Sequence, residues 1–450
     1  MLPTQAAARS RAPDAIARAV PDAITASAIL TLAMALVAAF MGNPLARIAD
    51  AYQQGLWMLL QFTMQMTLVI VLSSALSVTP VFRRAITSLA ELPQTPRQIV
   101  VIAFLLSGAA SYLFWGLGYA LGPLIAILFA ASAERRGIRV DFPFLLGVTY
   151  GAQALWQYGL SSSGPLLIAT QGHFLEKTIG VVPLSTTIWS PAALIHEAVY
   201  AATAILLACR ILPKQSRGIS QYPEALALAK PLQDVKERLA GQSFAQRLES
   251  NPGVNIVLSL LLASWLFTHF FVKRLGYDIN TLNTTLMMLT LLLYGNVKQF
   301  AKSIEQSAGR SWAVIVLYHL YAGVAGLVQY TSVGERISAF AASISNPSTF
   351  PLITALAGTV FACFIPSSGG QFAVQGFVTV KSAMAVGISA QRGILALGIG
   401  DHMGNFLTPF WYMVVAGIAR VDFRIFFGYG FLFAGLWFAI GALVFTFAPC

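Results

Sequence analysis

Charged residues are scarce in this chain. Asp, Glu, Lys and Arg together make up 10% of its 450 residues, while hydrophobic residues make up 57%. Soluble proteins carry about 25% charged residues, and so few charges cannot cover a surface that faces water. This excludes a soluble protein, and also a soluble domain with a single anchor, because the hydrophobic residues extend along the whole chain. The composition predicts an all-α polytopic membrane protein.

Cysteines and nucleotide-binding motifs are also scarce. The three cysteines lie too far apart to form a disulfide framework. The Gly-x-x-x-x-Gly-Lys-Ser/Thr pattern of a P-loop is absent, so we expect no ATP site and no cofactor. The basic residues are scattered through short loops rather than gathered in a stripe, which excludes a nucleic acid as partner. The expected partners are a small solute and membrane lipid, and a homo-oligomer stays open.

Long hydrophobic runs predict the membrane helices. The first run, residues 23–41, has 19 residues, enough to cross a hydrocarbon core of about 30 Å and longer than a signal-peptide core of about 7–15 residues. Of the 28 lysines and arginines, 21 fall in segments that one topology places inside. This positive-inside bias predicts a cytoplasmic N-terminus in a bacterial inner membrane. The further runs are 56–78, 99–133, 142–157, 187–212, 254–272, 282–297, 312–330, 350–380, 394–418 and 425–447.

One charged stretch, residues 213–252, divides the chain into two halves of similar length. The order of hydrophobic segments recurs in the two halves, and an additional crossing between them inverts the second copy. Such inverted repeats are typical of secondary transporters, whose sites lie near the midplane at the repeat interface. The predicted parts are a cytoplasmic N-terminus (1–21), a first transmembrane repeat (22–212), a cytoplasmic linker (213–252), a connecting transmembrane helix (253–272) and a second, inverted repeat (281–450).

Two uncharged stretches, 98–133 and 337–380, are too long for one crossing. Each is interrupted near its middle by glycine and proline, and each half is shorter than a comfortable crossing of about 20 residues. We therefore predict two re-entrant hairpins whose tips are buried in protein. The alternative is a pair of short helices joined by a tight external loop.

Four segments rich in Gly, Ser or Pro are predicted to be irregular. They are the two hairpin tips, 114–118 and 366–371, and the interruptions of two broken helices, 159–165 and 400–405. Lipid cannot satisfy the N–H and C=O groups of uncoiled backbone. Helix N-termini that follow such turns would direct N–H groups and hydroxyls at a carboxylate. The alternative is that Ser and Gly merely permit close helix packing.

Ionisable residues within hydrophobic segments are costly and therefore candidates for function. Asp401 and His402 lie in the second broken helix. They are the predicted groups for coupling to H⁺ or Na⁺, and imidazole suits a proton step because it changes charge near neutral pH. His196 and Glu197 lie side by side in another segment, where a structural polar pair is the preferred interpretation.

The stretch 366–376, Pro-Ser-Ser-Gly-Gly-Gln-Phe-Ala-Val-Gln-Gly, closely resembles the signature of the bacterial short-chain fatty acid transporter family, of the acetoacetate/butyrate permease type. The resemblance implies H⁺- or Na⁺-linked movement of small monocarboxylates across the inner membrane. Ser368, Phe372, His402 and Met403 depart from the family's pattern. The resemblance covers nearly the whole chain, including residues 21–23, 57–66, 115–118, 161–170 and 400–411.

These patterns together predict a symporter that holds a small monocarboxylate between hairpin tips and broken helices. A sodium ion is a further expectation near Ser162 and Gly369. Three alternatives remain: transport of another, dicarboxylate-like anion, a passive channel, and an intramembrane serine hydrolase in which His196 activates a serine within 161–163. We expect a transporter rather than an enzyme. The predicted substrate-binding residues are Trp115, Gly116, Gln157, Ser161, Ser162, Ser163, Ser367, Ser368, Gly369, Gly370, Gln371, Asn405 and Thr408.

Overall fold

The computed structural model describes residues 23–230, 243–309 and 311–447. Within these ranges the chain forms helices joined by turns and contains no strand, which confirms the all-α prediction. The predicted cytoplasmic N-terminus (1–21) lies outside the described residues, and so does part of the predicted linker (231–242).

The first half contains ten helices up to the charged stretch, among the described residues. Helix α7 continues as a 3₁₀ segment, Ala152–Trp156, before the chain uncoils. The helices are α1 (Ala23–Phe40), α2 (Leu45–Met58), α3 (Leu60–Ser77), α4 (Pro80–Ala90), α5 (Pro96–Leu113), α6 (Trp115–Arg135), α7 (Phe142–Gly151), α8 (Ser163–Ala169), α9 (Glu176–Ile179) and α10 (Pro191–Arg210).

The charged stretch holds two short helices, and the second half follows it. Helix α13 ends in a π-helical turn, Thr268–Val272. The helices are α11 (Pro223–Ala227), α12 (Phe244–Glu249), α13 (Pro252–Phe267), α14 (Ile279–Tyr294), α15 (Val297–Ala308), α16 (Trp312–Tyr330), α17 (Val333–Ser343), α18 (Phe350–Phe364), α19 (Ser368–Ala385), α20 (Ala390–Leu407), α21 (Pro409–Ala419) and α22 (Arg424–Phe447).

Six helical stretches among the described residues are long and hydrophobic enough to cross a membrane. A seventh span results if Val314–Tyr330 and Val333–Ser343, which are bent by 74°, count as one. The chain is therefore a multi-pass membrane protein by helix length and composition. The six stretches are Leu45–Ser77, Pro96–Leu113, Trp115–Arg135, Pro191–Arg210, Pro252–Val272 and Arg424–Phe447.

The two halves repeat the same order of helices and the same contacts. Helix α6 packs against α3, α4 and α7, and α19 packs in the same way against α16, α17 and α20. Across the halves, α6 contacts α21, while α19 contacts α8. Each hairpin therefore meets the second part of the broken helix in the other half. The inverted orientation of these halves in a membrane, and the domain boundaries, stay predictions.

The first hairpin differs from the expectation based on length. Its arms have 18 and 21 residues, so each is long enough to cross a membrane. The chain is extended at Phe114 alone, and the glycines of the expected tip, including Gly116 and Gly118, lie inside α6. A Cβ at Gly118 would collide with Ser111 and Gln153. These glycines therefore permit close packing, and the re-entrant character of the hairpin stays a prediction.

The second broken helix is interrupted later than expected. Residues 400–405 are helical, and the break lies at Thr408, whose φ of −99° and ψ of 149° are extended. Pro409 then begins α21. A Cβ at Gly400 would collide with the carbonyl of Ala355 on α18. Gly400 and Gly404 thus agree with the alternative interpretation of these glycines as packing residues, because they let α18 and α20 approach closely.

An ion pair docks the charged stretch onto the first half. Asp141 caps α7 by accepting a hydrogen bond of 2.8 Å from the N–H of Phe144. The Arg217 guanidinium donates to both Asp141 oxygens, at 2.8 and 3.0 Å. This hydrogen bonding raises the pKa of Arg217 above its ordinary value. The start of α7 is therefore held by a segment outside the predicted membrane helices.

Candidate functional site

Two interruptions of the backbone meet inside the bundle. In the first half, the residues between Trp156 and Ser163 form turns rather than helix. In the second half, residues 365–367 separate α18 from α19. Both segments are buried or nearly so. The meeting follows from the packing of α19 against α8 and α20.

A narrow cavity of about 20 Å³ lies between these interruptions. That volume fits one or two water molecules, or an ion of similar size. The lining contains polar groups from both halves and no Lys or Arg among the described residues. It consists of Gln157, Tyr158, Ser162, Gly164, Pro165, Ser368, Gln371, Phe372, Ile394, Leu397, Gly398 and Asp401.

Asp401 provides the carboxyl group of this lining. It is 2% exposed. Its Oδ1 accepts a hydrogen bond of 3.0 Å from Nδ2 of Asn405, while Oδ2 has no hydrogen-bond partner. The side chains of Ser368 and Gln157 face the carboxyl group. No described Lys or Arg forms an ion pair with Asp401.

Two amide oxygens near Asp401 also lack hydrogen-bond partners. The Gln371 Nε2 donates to the Gly358 carbonyl at 2.8 Å and to Oε1 of Gln375 at 2.7 Å. These two acceptors fix the amide orientation, so the Gln371 Oε1 is the atom left without a partner. The Gln157 Oε1 is also buried and unpartnered. Together with Asp401 Oδ2, three acceptor oxygens without hydrogen-bond partners therefore belong to residues that line one narrow cavity.

The predicted serines divide between structural and cavity positions. Ser161 Oγ accepts a 2.8 Å hydrogen bond from the N–H of Trp115, which ties the first hairpin tip to the first interruption. Ser162 Oγ donates to the Gln157 carbonyl at 2.5 Å, and Ser163 is the first residue of α8. Ser367 Oγ caps α19 by accepting from the Gly370 N–H at 3.4 Å. Ser162 and Ser368 are the serines in the lining.

The chain matches a family model described as "Short chain fatty acid transporter" over residues 8–446. It belongs to the short-chain fatty acid transporter family. This membership confirms the resemblance derived from residues 366–376, and it confirms the predictions of a transporter and of a protein that is not an enzyme.

Curated relatives and solved structures agree with this result. A protein of Escherichia coli (strain K12), provisionally named a short-chain fatty acid transporter, is 27% identical over 96% of this chain and 97% of its own. A Haemophilus influenzae protein with the same name is 25% identical over 96% of this chain and 95% of its own.

Two solved transporters share the fold. The Alcanivorax borkumensis YdaH transporter, whose topology is described as unusual, has a TM-score of 0.62 and 14% identity, covering 95% of this chain and 98% of its own. Neisseria gonorrhoeae MtrF, described within a class of antimetabolite efflux pumps, has a TM-score of 0.58 and 15% identity over 96% and 97%.

In this transporter, several predicted residues lie beside the cavity rather than in its lining. Trp115 meets Trp411 edge to face, with ring centroids 6.0 Å apart. Trp411 Nε1 donates to Oδ1 of Asn405 at 3.2 Å, and Thr408 Oγ1 donates to the Asn405 carbonyl at 3.3 Å. Asn405 therefore connects this aromatic group to Asp401.

The three predicted glycines also contact side chains rather than line the cavity. A Cβ at Gly116 would collide with Ser73 on α3, and one at Gly369 would lie 2.6 Å from the Tyr318 hydroxyl. A Cβ at Gly370 would collide with the ring of Tyr321. Glycine at these positions lets helices α3 and α16 approach the two hairpin tips.

Asp401 and His402 face different surroundings. His402 is 1% exposed, and both ring nitrogens lack hydrogen-bond partners. Its ring packs against Phe406 and Trp437, with centroids 4.4 and 4.8 Å away. Adjacent helical residues are rotated by about 100°, which separates the pair. His402 is absent from the lining of the cavity.

Tyr158 belongs to the lining and was missed from the sequence. Its hydroxyl donates to the Leu395 carbonyl of α20 at 2.6 Å, so it bridges the halves. Its position next to Gln157, inside the predicted interruption, was the available signal.

The alternative of a serine hydrolase has no geometric support. His196 Nε2 lies 3.3 Å from the Trp437 carbonyl, and the Ser162 hydroxyl is hydrogen-bonded to the Gln157 carbonyl rather than to His196.

Proposed function

We propose that this transporter moves short-chain monocarboxylates such as butyrate or acetoacetate together with H⁺ or Na⁺. The observation that carries the proposal is Asp401, a buried carboxyl group without a basic partner among the described residues. It faces a cavity whose remaining polar lining consists of neutral hydroxyls and amides. A buried charge of this kind is costly unless it is neutralised.

Electrostatic repulsion between Asp401 and the substrate would couple the two ligands. A carboxylate about 4 Å from an ionised Asp401 is disfavoured by about 4 kcal/mol at an effective dielectric constant of about 20. That energy corresponds to nearly a thousandfold loss of affinity. A proton or Na⁺ on Asp401 removes the repulsion, so the substrate binds well only with the cation. This dependence is what symport requires.

Donors for the substrate carboxylate come from both halves. Ser368 contributes a hydroxyl to the lining, and the first N–H groups of α19 begin beside it. The Ser162 hydroxyl donates to the Gln157 carbonyl, and it would become a donor to the substrate when that bond opens. The predicted contacts to Trp115, Gln157, Gln371, Asn405 and the other sequence candidates remain part of this proposal. A Na⁺ would bind Asp401 and the unpartnered oxygens of Gln157 and Gln371. This position is near Ser162, where the sequence predicts a sodium ion.

The narrow cavity implies that substrate entry needs movement. A volume of about 20 Å³ does not accommodate a fatty acid. We propose that the two halves act as inverted repeats, with re-entrant hairpins that open the cavity alternately to each side. We also propose the bacterial inner membrane as the location and a cytoplasmic N-terminus, on the distribution of Lys and Arg.

Uptake of labelled acetoacetate and butyrate into proteoliposomes tests the proposal, with pH and sodium gradients imposed separately. Protein-free liposomes measure the passive entry of the protonated acids. We expect saturable uptake that one cation gradient drives. Transport of a dicarboxylate instead would reject the substrate class, and flux without saturation or cation dependence would indicate a passive channel.

A further inference from the structure

A second buried carboxyl group lies behind the first interruption. Glu197 on α10 is 7% exposed, and neither of its carboxyl oxygens has a hydrogen-bond partner. The main-chain N–H of Tyr158 approaches it without reaching hydrogen-bond geometry. Glu197 is therefore next to the uncoiled segment, and it is absent from the lining of the cavity to which Tyr158 belongs.

The groups around Glu197 are polar but carry no positive charge. The phenols of Tyr112 on α5, Tyr158 in the uncoiled segment and Tyr200 on α10 itself lie in its neighbourhood. Helix α22 presents Trp437 to this face, and the neighbouring His196 is directed at the Trp437 carbonyl. No described Lys or Arg forms an ion pair with Glu197. Phenols and an amide can hydrogen-bond a carboxylate, but they do not neutralise it.

The contacts of α10 and α5 position the interrupted helix. The Tyr200 hydroxyl donates to the Gly151 carbonyl at 2.7 Å, where α7 ends. The Leu160 N–H donates to the Tyr112 carbonyl at 2.7 Å. The Tyr158 ring also packs edge to face against His196, the residue before Glu197, with ring centroids 5.4 Å apart. This packing and the nearby Tyr158 N–H give the Glu197 carboxyl group a route to the cavity.

Tyr158 connects Glu197 to the helix of Asp401. The Tyr158 main chain approaches the Glu197 carboxyl group, and the Tyr158 hydroxyl is hydrogen-bonded to α20, the helix of Asp401. An ionised Glu197 attracts the Tyr158 N–H, whereas a protonated Glu197 attracts it less and gains an O–H donor. The geometry thus couples protonation at Glu197 to the position of Tyr158.

We propose that Glu197 is a proton-binding group of the transport cycle, and that its protonation repositions Tyr158 at the cavity. The carboxylate takes one proton from water on one side of the membrane and releases it on the other. Glu197 is a positioning residue, because it acts on the cavity through Tyr158. The inference rests on the proposed transport of monocarboxylates, and it adds a proton site that is distinct from the cation site at Asp401.

The test compares the full-length wild type with Glu197→Gln in proteoliposomes, using labelled acetoacetate. Gln retains the shape of Glu but cannot exchange a proton. We expect Glu197→Gln to retain equilibrium exchange of substrate and to lose about tenfold of the accumulation driven by a pH gradient, since exchange needs no net proton movement. Its exchange rate should also stop responding to pH.

Two further variants keep the test decisive. Glu197→Asp retains a carboxyl group and should restore the response to pH; this variant also serves if Glu197→Gln fails to fold. Tyr200→Phe, one turn away, removes the hydrogen bond to the Gly151 carbonyl and should lower thermal stability without removing the pH response.

The outcomes separate the inference from the proposed function. If accumulation driven by a pH gradient is unchanged in Glu197→Gln, the role of Glu197 is overturned. The role is also overturned if transport by the wild type does not respond to pH and depends on sodium alone. A wild type that transports no monocarboxylate at all overturns the proposed function instead.

Discussion

The two halves repeat one architecture but contribute different chemistry to the cavity. The first half provides uncoiled backbone with a neutral amide, Gln157, and a hydroxyl, Ser162. The second half provides helix α20, which is continuous from Ala390 to Leu407 and carries the carboxyl group of Asp401 before the break at Thr408. The charge thus lies on a helix that α18 holds closely through Gly400 and Gly404. If the proposed cation binds at Asp401, movements of the neutral groups of the first half would change its affinity.

Asp401→Asn should break this asymmetry and have the largest effect. The amide retains the shape of the side chain and removes its charge, so the cation loses its main attraction. We expect cation-driven accumulation of monocarboxylate to fall by at least about a hundredfold, consistent with an electrostatic term of about 4 kcal/mol. Asp50→Asn, at an exposed carboxyl group of α2, is the matched control and should transport like the wild type. Full accumulation by Asp401→Asn would remove Asp401 from the coupling site.

Gly404→Ala tests whether the second half needs its close packing. A Cβ there would collide with Ala362 of α18 and approach the Thr359 carbonyl. We expect a loss of stability of about 1–3 kcal/mol from overpacking, measured as thermal unfolding in detergent. Gly435→Ala on α22, where a Cβ meets no atom within 4 Å, is the control. Equal effects at both positions would show that the approach of α18 is not what Gly404 serves.

The sequence predicts the helical class and the residues of the cavity better than it predicts the interruptions. Gln157, Ser162, Ser368, Gln371 and Asp401 are all sequence candidates, and all line one cavity. The binding role of each stays a prediction. Glycine has two uses that local sequence does not separate, since it permits uncoiled backbone and it also permits close helix packing. Because of that ambiguity, the sequence predicts an irregular backbone both at 400–405 and before Ser163, whereas only the segment before Ser163 is not helical.

The separation of Asp401 from His402 and the inclusion of Tyr158 depend on tertiary contacts. Helical rotation alone distinguishes the faces of adjacent residues, but only packing decides which face meets the other half. The hydrogen bond from Tyr158 to the Leu395 carbonyl spans 237 positions of sequence. No local pattern encodes a contact of this range.

The N-caps of the two interrupted helices offer a smaller comparison. Asp141 caps α7 and also pairs with Arg217, whereas Ser389 caps α20 with a hydrogen bond of 3.2 Å to the Arg392 N–H. Loss of an N-cap costs about 1 kcal/mol, and Asp141→Ala also leaves Arg217 without its partner. We expect Asp141→Ala to destabilise the protein by about 2 kcal/mol and Ser389→Ala by about 1 kcal/mol. A larger loss for Ser389→Ala in thermal unfolding would reverse the comparison.

The two cavity serines should give the smallest effects, and we expect each to change a different transport parameter. Ser368 faces Asp401, so Ser368→Ala should raise the cation concentration that half-saturates transport. Ser162 holds the uncoiled segment through the Gln157 carbonyl, so Ser162→Ala should chiefly raise the KM for monocarboxylate. Each change removes one hydrogen-bonding hydroxyl, worth about 1 kcal/mol or roughly fivefold. Ser88→Ala, at an exposed position of α4, serves as the control. If both cavity variants changed the same parameter equally, cation and substrate would share one set of ligands, and the division between a charged second half and a neutral first half would fail.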